Sequence, residues 1–220
     1  MFFREIVEKF PVGPGDRVLG LPVTERRLHS LRSASRDLRM RPRRLRHILI
    51  ARKVLPPESR RLKDIECVFD AVKHKDLADK LAGSLTLHKA SKFLGISQTK
   101  LETIVAKDLL KPIIWEPDIK GGRGGGHTAL PIGDLEAFLE KVFSGASEVP
   151  QRAPGFYSID ELAVKLNAMW AEITAIVFNH GELEKQTIFG PKKIPRLYIH
   201  IDSVRSYLQA GEERRDRGAI

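Results

Sequence analysis

The chain has 220 residues, of which 42% are hydrophobic and 30% are charged, proportions that suit a folded globular protein and exclude an extended disordered one. Its formal net charge of +10 favours an anionic partner. The single cysteine, Cys67, excludes an intrachain disulfide, and no apolar run approaches the roughly 20 residues that span a bilayer.

The excess positive charge is confined to one segment. Residues 24–61 contain 13 lysines and arginines against three acidic residues, while the rest of the chain holds 25 basic and 25 acidic side chains. A net positive charge by itself often serves only solubility. Because one segment holds the whole excess of positive charge, the sequence predicts a local anion-binding surface there.

Residues 1–23 form the first predicted division of the chain. A short helix is expected over residues 2–10, and a loop at 11–15, where proline and glycine break regular structure. The start of the chain lacks the long apolar stretch of a secretory signal. We therefore expect a cytoplasmic, nucleoid-associated protein with no membrane partner.

The second division, residues 24–83, carries the arginines and begins with a predicted helix that Thr24 caps. A second helix is expected to open at Pro42, where a missing N–H group is harmless. A third is expected over residues 62–72, which include the buried cysteine. The apolar positions with helical spacing in the first two helices are Leu28, Leu31, Leu38, Leu45, Ile48 and Leu49.

The third division, residues 84–146, shows the clearest pair of short helices. Thr86 and Ser97 are predicted N-caps, and Gly95 lies where the turn between the helices requires a left-handed residue. A closing helix is expected over residues 134–143. Two short helices joined by a tight turn are typical of a helix-turn-helix.

The fourth division, residues 147–211, repeats this order. Ser158 is its first predicted N-cap, and Asn167 replaces the turn glycine because asparagine tolerates left-handed geometry. Two strands are then expected to form a hairpin, followed by another closing helix. The tail at residues 212–220 is charged and is expected to be disordered.

The divisions contain copies of one unit. The apolar pattern that begins at Ala34 recurs 56 residues later at Ala90, and the closing helix that begins near Ile132 is echoed at Ile201. Internal repetition defines the architectural unit. We therefore predict a mainly α fold with small β wings, built from tandem helix-turn-helix units of which the last two are winged.

The second helix of the arginine-rich division is a candidate reader of DNA. A guanidinium group pairs with guanine or phosphate through two hydrogen bonds, and this helix of a helix-turn-helix fits the major groove. A solvated basic surface is the alternative interpretation. The candidate DNA-binding residues here are Arg39, Arg41, Arg43, Arg44, Arg46 and His47.

The corresponding helices of the later divisions differ in character. The third division offers small polar side chains, typical both of recognition helices and of ordinary polar surfaces. In the fourth, Met169 and Trp170 favour contact with protein, while Lys192 and Lys193 on its loop are candidates for DNA-backbone contacts. The candidates in the third division are Ser97, Gln98, Thr99, Lys100 and Thr103.

A glycine-rich loop at residues 120–127 joins strands expected over 110–115 and 128–132. The loop lacks the spacing of a phosphate-binding P-loop and does not run from a strand straight into a helix. It is either a flexible loop tip or a wing that places Arg123 in a narrow minor groove of DNA.

No arrangement of residues predicts an enzyme. The seven histidines and the single cysteine show none of the spacings of a zinc site, and no serine lies in a nucleophile elbow. We therefore expect no catalytic residue, no metal and no cofactor.

Two sets of residues resemble known families. Thr-Leu-His-Lys-Ala-Ser-Lys-Phe-Leu-Gly-Ile-Ser at 86–97, with Asp-Leu-Glu-Ala-Phe-Leu at 134–139, resembles the MerR/excisionase-like winged helix-turn-helix group over about a third of the chain. Val-Leu-Gly-Leu-Pro-Val-Thr at 18–24 and Leu-Arg-His-Ile-Leu-Ile-Ala-Arg-Lys-Val-Leu-Pro at 45–56, with the tandem repeats, are more faintly similar to the C-terminal region of TniQ/TnsD-type transposition proteins.

The second resemblance implies a protein that binds an attachment site and recruits transposition or recombination proteins. With one cysteine, the chain departs from that family, whose N-terminal segment is a cysteine-rich zinc site.

The expected function is sequence-specific binding to double-stranded DNA, with site selection for a mobile element as the first interpretation. A transcriptional regulator or an excisionase-type recombination factor is the second. A protein–protein adaptor is an alternative of another class.

Overall fold

A computed structural model describes residues 2–115 and 127–217, with side chains described as far as residue 209. Ten α-helices run through this part of the chain, and its strands form small sheets of two to four members. The expected combination of helices with small β elements is confirmed, and the tandem helix-turn-helix units stay a prediction. The chain divides into two compact units, Met1–Ser84 with Ile113–Pro131 and Leu85–Pro112 with Ile132–Ile220.

The first unit holds short helices and two-stranded antiparallel sheets. In the first sheet β1 pairs with β2, and in the second β3 pairs with β4. The elements are α1 (Phe2–Lys9), β1 (Arg17–Val18), β2 (Leu21–Pro22), β3 (Leu28–Ser30), α2 (Leu31–Asp37), α3 (Pro42–Ala51), a 3₁₀ helix (Pro57–Arg61), β4 (Val68–Asp70) and α4 (Lys75–Leu81).

The described part of the second unit combines six α-helices and one 3₁₀ helix (Ile194–Arg196) with one four-stranded sheet. Its strand order is β5-β7-β8-β6, with β5 parallel to β7 and the other neighbours antiparallel. The elements are α5 (Leu87–Leu94), α6 (Gln98–Ala106), α7 (Ile132–Val142), β5 (Ala146–Val149), β6 (Phe156–Ser158), α8 (Ile159–Lys165), α9 (Trp170–Asn179), β7 (Lys185–Ile188), β8 (Leu197–His200) and α10 (Ile201–Arg217).

Three pairs of short helices repeat along the chain: α2 with α3, α5 with α6, and α8 with α9, here called the first, second and third helix pairs. A hydroxyl side chain caps the opening helix of each pair, from Ser30, Thr86 and Ser158. Each hydroxyl accepts a hydrogen bond from a backbone N–H three residues later, which satisfies a donor that the helix leaves open.

The turn inside each helix pair has the same geometry. A residue one or two positions after the first helix is left-handed in all three, with φ of 50° at Arg39, 75° at Gly95 and 50° at Asn167. The backbone N–H of the following residue closes each turn on the oxygen five residues before it, as in Met40 to Ser35 at 3.0 Å. The predicted roles of the turn glycine and of its asparagine replacement are therefore confirmed.

The start of the first helix pair differs from the prediction. Ser30 caps α2 instead of Thr24, and Leu28 lies in strand β3. The helix expected over residues 62–72 is wrong as well, because Val68 and Phe69 form strand β4 against β3. Valine and phenylalanine favour a strand when a partner strand is available, and here the segment that leads into α2 supplies it.

The core of the first unit draws on both of its chain segments. Ile114 and Ala129, which an antiparallel bridge joins, pack in the same cluster as the inner faces of α2 and α3. The buried side chains of that cluster are Leu31, Ala34, Met40, Leu45, Ile48, Leu49, Leu55, Cys67, Phe69, Leu81, Ile114 and Ala129. The predicted inner positions of α3 and the buried cysteine are thus confirmed.

Residues 110–115 and 128–132 do not form the two strands that the sequence predicted. The bridge between Ile114 and Ala129 replaces them, and α7 already begins at Ile132. Proline has no N–H group to donate to a sheet, so Pro112 and Pro131 limit pairing on both sides. Ile114 and Ala129 pack with the first helix pair, although they follow the second pair along the chain.

The tail prediction also needs correction. Helix α10 runs from Ile201 to Arg217, so the backbone at residues 212–217 is helical where disorder was expected. The echo between Ile132 and Ile201 is real, because each residue begins a helix.

Candidate nucleic-acid interface

The first unit exposes most of the positive charge of residues 24–61. Ten of the 13 basic side chains in that segment are exposed, and three are not. The exposed ones are Arg27, Arg32, Arg36, Arg39, Arg41, Arg43, Arg52, Lys53, Arg60 and Arg61. The segment therefore presents its charge to solvent, which is what an anion-binding surface requires.

Five of these arginines lie on α2, in its turn and at the start of α3; we call them the arginine surface. Because Leu31, Ala34 and Ser35 face the core, the intervening positions of α2 point outward. Among the described residues, only one member of the surface forms an ion pair, a 3.5 Å contact with Asp37. The members are Arg32, Arg36, Arg39, Arg41 and Arg43.

Two members of this surface, Arg32 and Arg36, were missed at the sequence level. They lie on the first helix of the pair, while the candidates were drawn from the turn and the second helix. Their signal was the helical spacing of Leu31, Ala34 and Ser35, which leaves residues 32 and 36 outside.

The first turn of α3 has no side-chain cap. Arg41 stands at the N-cap and makes no capping hydrogen bond, Pro42 follows it, and the first turn contains no acidic residue. Backbone N–H groups at an uncapped helix start carry partial positive charge. This end of α3 therefore adds to the positive potential of the arginine surface.

Arg44 differs from its exposed neighbours, because it lies half-buried against the second segment of the unit. Its Nη2 donates a hydrogen bond to the backbone oxygen of Thr128 at 3.1 Å. Its Nε is buried with no hydrogen-bond partner among the described residues, and burial lowers the pKa of the guanidinium. The candidate Arg44 therefore helps to hold residues 127–131 on α3.

Arg46 is also engaged inside the unit. Its Nη1 donates to the backbone oxygen of Arg60 at 3.1 Å, and its Nη2 pairs with Asp64. Only 17% of its side chain is exposed. These contacts fasten the 3₁₀ helix and the chain that follows it to α3.

His47 lies on the outward part of α3, half-buried, and its ring stacks on that of His127 with centroids 3.8 Å apart. Two α3 candidates, Arg44 and His47, therefore border the segment that begins at residue 127. Arg123 lies outside the described residues, so its predicted place in a wing is not addressed by the structure.

The second helix pair brings its polar candidates to the start of α6. Ser97 caps the helix, Gln98 and Thr99 are exposed, and the Gln98 amide hydrogen-bonds the His88 ring at 3.1 Å. The opening of α6 is thus available to a ligand at residues 97–99.

The remaining α6 candidates, Lys100 and Thr103, make contacts within the second unit. Lys100 forms an ion pair with Asp160, and its Nζ lies 5.2 Å from the centroid of the Trp170 ring. Thr103 turns its hydroxyl back onto the oxygen of Lys100 at 2.7 Å. Lys100, like Arg44 at the equivalent position of α3, directs its side chain into contacts within the protein.

The third helix pair presents an apolar surface where the first presents arginine. Val164 is 83% exposed and Met169 is 59% exposed. Trp170 is only partly exposed, and its ring nitrogen is buried with no hydrogen-bond partner among the described residues. This surface offers few groups that recognise bases.

The loop between β7 and β8 carries the last two candidates, Lys192 and Lys193, and both are exposed. Lys192 pairs with Glu140 of α7 at 2.9 Å. The stem of Lys193 lies against Gly95, in the turn of the second helix pair.

Two further features of the described residues concern metal-ligand groups and membrane-spanning helices. The side chains of residues 2–115 and 127–209 contain no group of three or more His, Cys, Asp or Glu placed to hold a metal ion. Within the same ranges no helix has both the length and the apolar character needed to cross a bilayer.

Comparisons of the chain with protein-family models, with curated proteins and with solved structures found no match.

Proposed function

We propose that the protein binds double-stranded DNA through the arginine surface of the first unit, with the helix pairs acting as helix-turn-helix units. The observation that carries the proposal is the exposure of five arginines on α2, its turn and the start of α3. In a helix-turn-helix the second helix enters the major groove while the first crosses the backbone. Arginine at these places supplies phosphate contacts on one helix and base contacts on the other.

The distribution of charge between the units supports this assignment. The first unit contains 22 basic and 13 acidic residues, whereas the second contains 16 and 15. Nine of the ten net positive charges therefore belong to the unit with the arginine surface. A concentrated positive potential attracts DNA and accelerates its association.

Arg43 is the residue that we assign to base recognition. It lies in the first turn of α3, it is exposed, and it makes no ion pair with the described residues. The first residues of a recognition helix reach base edges, and an arginine there pairs with guanine. Arg32, Arg36 and Arg39 are assigned to phosphates, which position the protein without reading sequence.

The test is binding of the full chain to a fluorescent duplex of about 30 bp, measured by anisotropy between about 50 and 200 mM salt. Affinity should fall steeply with salt because each neutralised phosphate releases counterions. A variant with Arg39, Arg41 and Arg43 changed to glutamine should bind more weakly, with a salt slope smaller by about one for each phosphate that it no longer neutralises.

The matched control is Arg44→Gln, which removes one positive charge from the same helix without touching the arginine surface. It should leave the salt slope near that of the native chain. Absence of binding at the lowest salt would contradict DNA binding and leave a protein–protein adaptor as the alternative function.

The biological role is a separate proposal, which rests on the resemblance to TniQ/TnsD-type proteins: selection of a target site for a mobile element. Selection of bound sequences from a random duplex library tests it. Enriched sequences that map to the attachment site of an element support this role, and sequences that map to promoters favour a transcriptional regulator or an excision factor.

A further inference from the structure

The turn of the second helix pair and the loop between β7 and β8 meet at one glycine. Gly95 has a φ of +75°, and a Cβ added to it would lie 3.1 Å from the Cβ of Lys193 and 3.2 Å from the Cδ of Pro195. Both segments belong to the second unit. Any larger residue at position 95 would therefore press on the loop.

This contact places exposed cationic and polar groups around one turn. Lys92 is exposed one helical turn before Gly95, and Gln98 and Thr99 are exposed just after it. Lys193 is exposed while its stem rests on the turn. Lysine keeps its ammonium group in water when its stem packs on a surface, so the charge remains available to a ligand.

The β7–β8 loop thus lies beside the start of α6. In a winged helix-turn-helix, the wing occupies the same position beside the recognition helix. Here the loop comes from the repeat that follows in the sequence. The first unit shows the same displacement. There, residues 127–128 lie against α3 through the Arg44–Thr128 hydrogen bond, although they follow the second pair in sequence. In each unit, a helix pair contacts a segment from further along the chain.

We infer that the β7–β8 loop acts as the wing of the second helix pair, and that together they form a second contact surface for duplex DNA, made of Lys92, the start of α6 and Lys193. The inference rests on the proposed DNA binding by the first unit. The second unit has almost no net charge, so this surface adds phosphate contacts and local polar readout while the first unit supplies most of the affinity.

The experiment uses the full chain and the duplex anisotropy assay, with hydroxyl-radical footprinting of a selected site. The double variant Lys92→Gln, Lys193→Met removes both charges and keeps an unbranched stem on Gly95. We expect its salt slope to fall by about two, since each phosphate contact contributes about one, and its footprint to shorten at one end. Lys107→Gln, at the far end of α6, is the matched control and should change neither.

The outcomes separate the two proposals. If the native chain binds no DNA, the proposed function fails and this inference fails with it. If the native chain binds, and loss of Arg39, Arg41 and Arg43 weakens it, but the double variant keeps the full slope and footprint, the second surface alone is overturned. If the circular dichroism of the double variant shows that it is misfolded, Lys193→Gln alone replaces it. For this single variant the salt slope must fall by about one.

Discussion

Arg46 and Asp64 form an ion pair in the first unit, and the same guanidinium donates a hydrogen bond to the backbone oxygen of Arg60. The pair joins the middle of α3 to the segment that leads into strand β4. Arg43, one turn earlier on the helix, is exposed and contacts no acidic residue of the described chain. Arg46 thus stabilises the fold, whereas Arg43, three residues earlier, belongs to the exposed arginine surface.

Substitution should separate these two roles. Arg46→Ala is expected to lower the free energy of unfolding by about 1–2 kcal/mol, because it breaks a partly screened ion pair and leaves a backbone acceptor without its donor. Arg43→Ala should leave stability within about 0.5 kcal/mol of the native value, since it is an exposed position with no partner. Urea denaturation followed by circular dichroism measures both.

DNA affinity should respond in the opposite order. Arg43→Ala is expected to weaken binding by about 1–3 kcal/mol at its preferred site, the usual cost of removing one arginine–guanine pair. Arg46→Ala, measured where the protein remains folded, should change affinity little. Equal reductions of affinity for the two variants would mean that side-chain exposure does not identify the residue that contacts the bases.

Substitution of Arg39 should change both the free energy of unfolding and the affinity for DNA. Its φ of 50° is left-handed, a conformation that costs a non-glycine residue about 1 kcal/mol, and the equivalent residue of the second helix pair is Gly95. Arg39→Gly is therefore expected to raise the free energy of unfolding by up to about 1 kcal/mol while it weakens DNA binding. Arg43→Gly, in the first turn of α3 and without a positive φ, is the control and should not raise the free energy of unfolding. A destabilised Arg39→Gly would show that the side chain itself supports the turn.

The helix pairs could be predicted from sequence because their signals are local. In the second and third pairs a hydroxyl N-cap, inward apolar residues and a left-handed turn residue lie within about a dozen positions. In the first pair the cap is Ser30 instead of Thr24, and the left-handed Arg39 carries no glycine or asparagine signal. At Thr86, Gly95 and Ser97 the predicted and observed roles coincide.

The pairing of segments could not be predicted, because it depends on contacts between residues distant in sequence. Strand β4 forms against β3 some 40 residues earlier, which replaces the helix expected there. Likewise, Thr128 accepts its hydrogen bond from Arg44 and Lys193 rests on Gly95. Local periodicity carries no information about such partners.

The same limit applies to the candidate site. Composition identified the arginines of the second division as a group, but it could not distinguish Arg43 from Arg44 or Arg46. Their separation depends on the positions of Asp64 and Thr128, and hence on the tertiary structure.

Cys67 supplies a probe of the first unit. It is 1% exposed, its thiol points to the backbone oxygen of Ser59 at 3.5 Å, and burial raises its pKa. Burial, the largest cause of this change, disfavours the reactive thiolate. We expect a thiol reagent such as DTNB to modify it only as fast as the first unit opens, and immediately in denaturant. Rapid stoichiometric labelling of the native protein at pH 8 would contradict the packing described for this residue.

Lys185 is a buried lysine of the second unit and should make stability depend on pH. It lies in β7 with 3% of its surface exposed, and its Nζ donates to the oxygen of Val142 at 3.3 Å, at the end of α7. Burial lowers the pKa of Lys185, and the charge of Glu182 opposes that change more weakly. Between the lowered native pKa and the unfolded value of about 10.4, the unfolded chain holds a proton that the native one has lost.

Because the unfolded state binds more protons in that window, the free energy of unfolding attributable to Lys185 should increase as the pH rises towards about 10. Lys185→Met removes the titrating group and should abolish this increase. The measurement compares urea midpoints of the native chain, of Lys185→Met and of the exposed control Lys165→Met across the alkaline range. Native and Lys185→Met curves that stay parallel would show that the buried ammonium group does not titrate on folding.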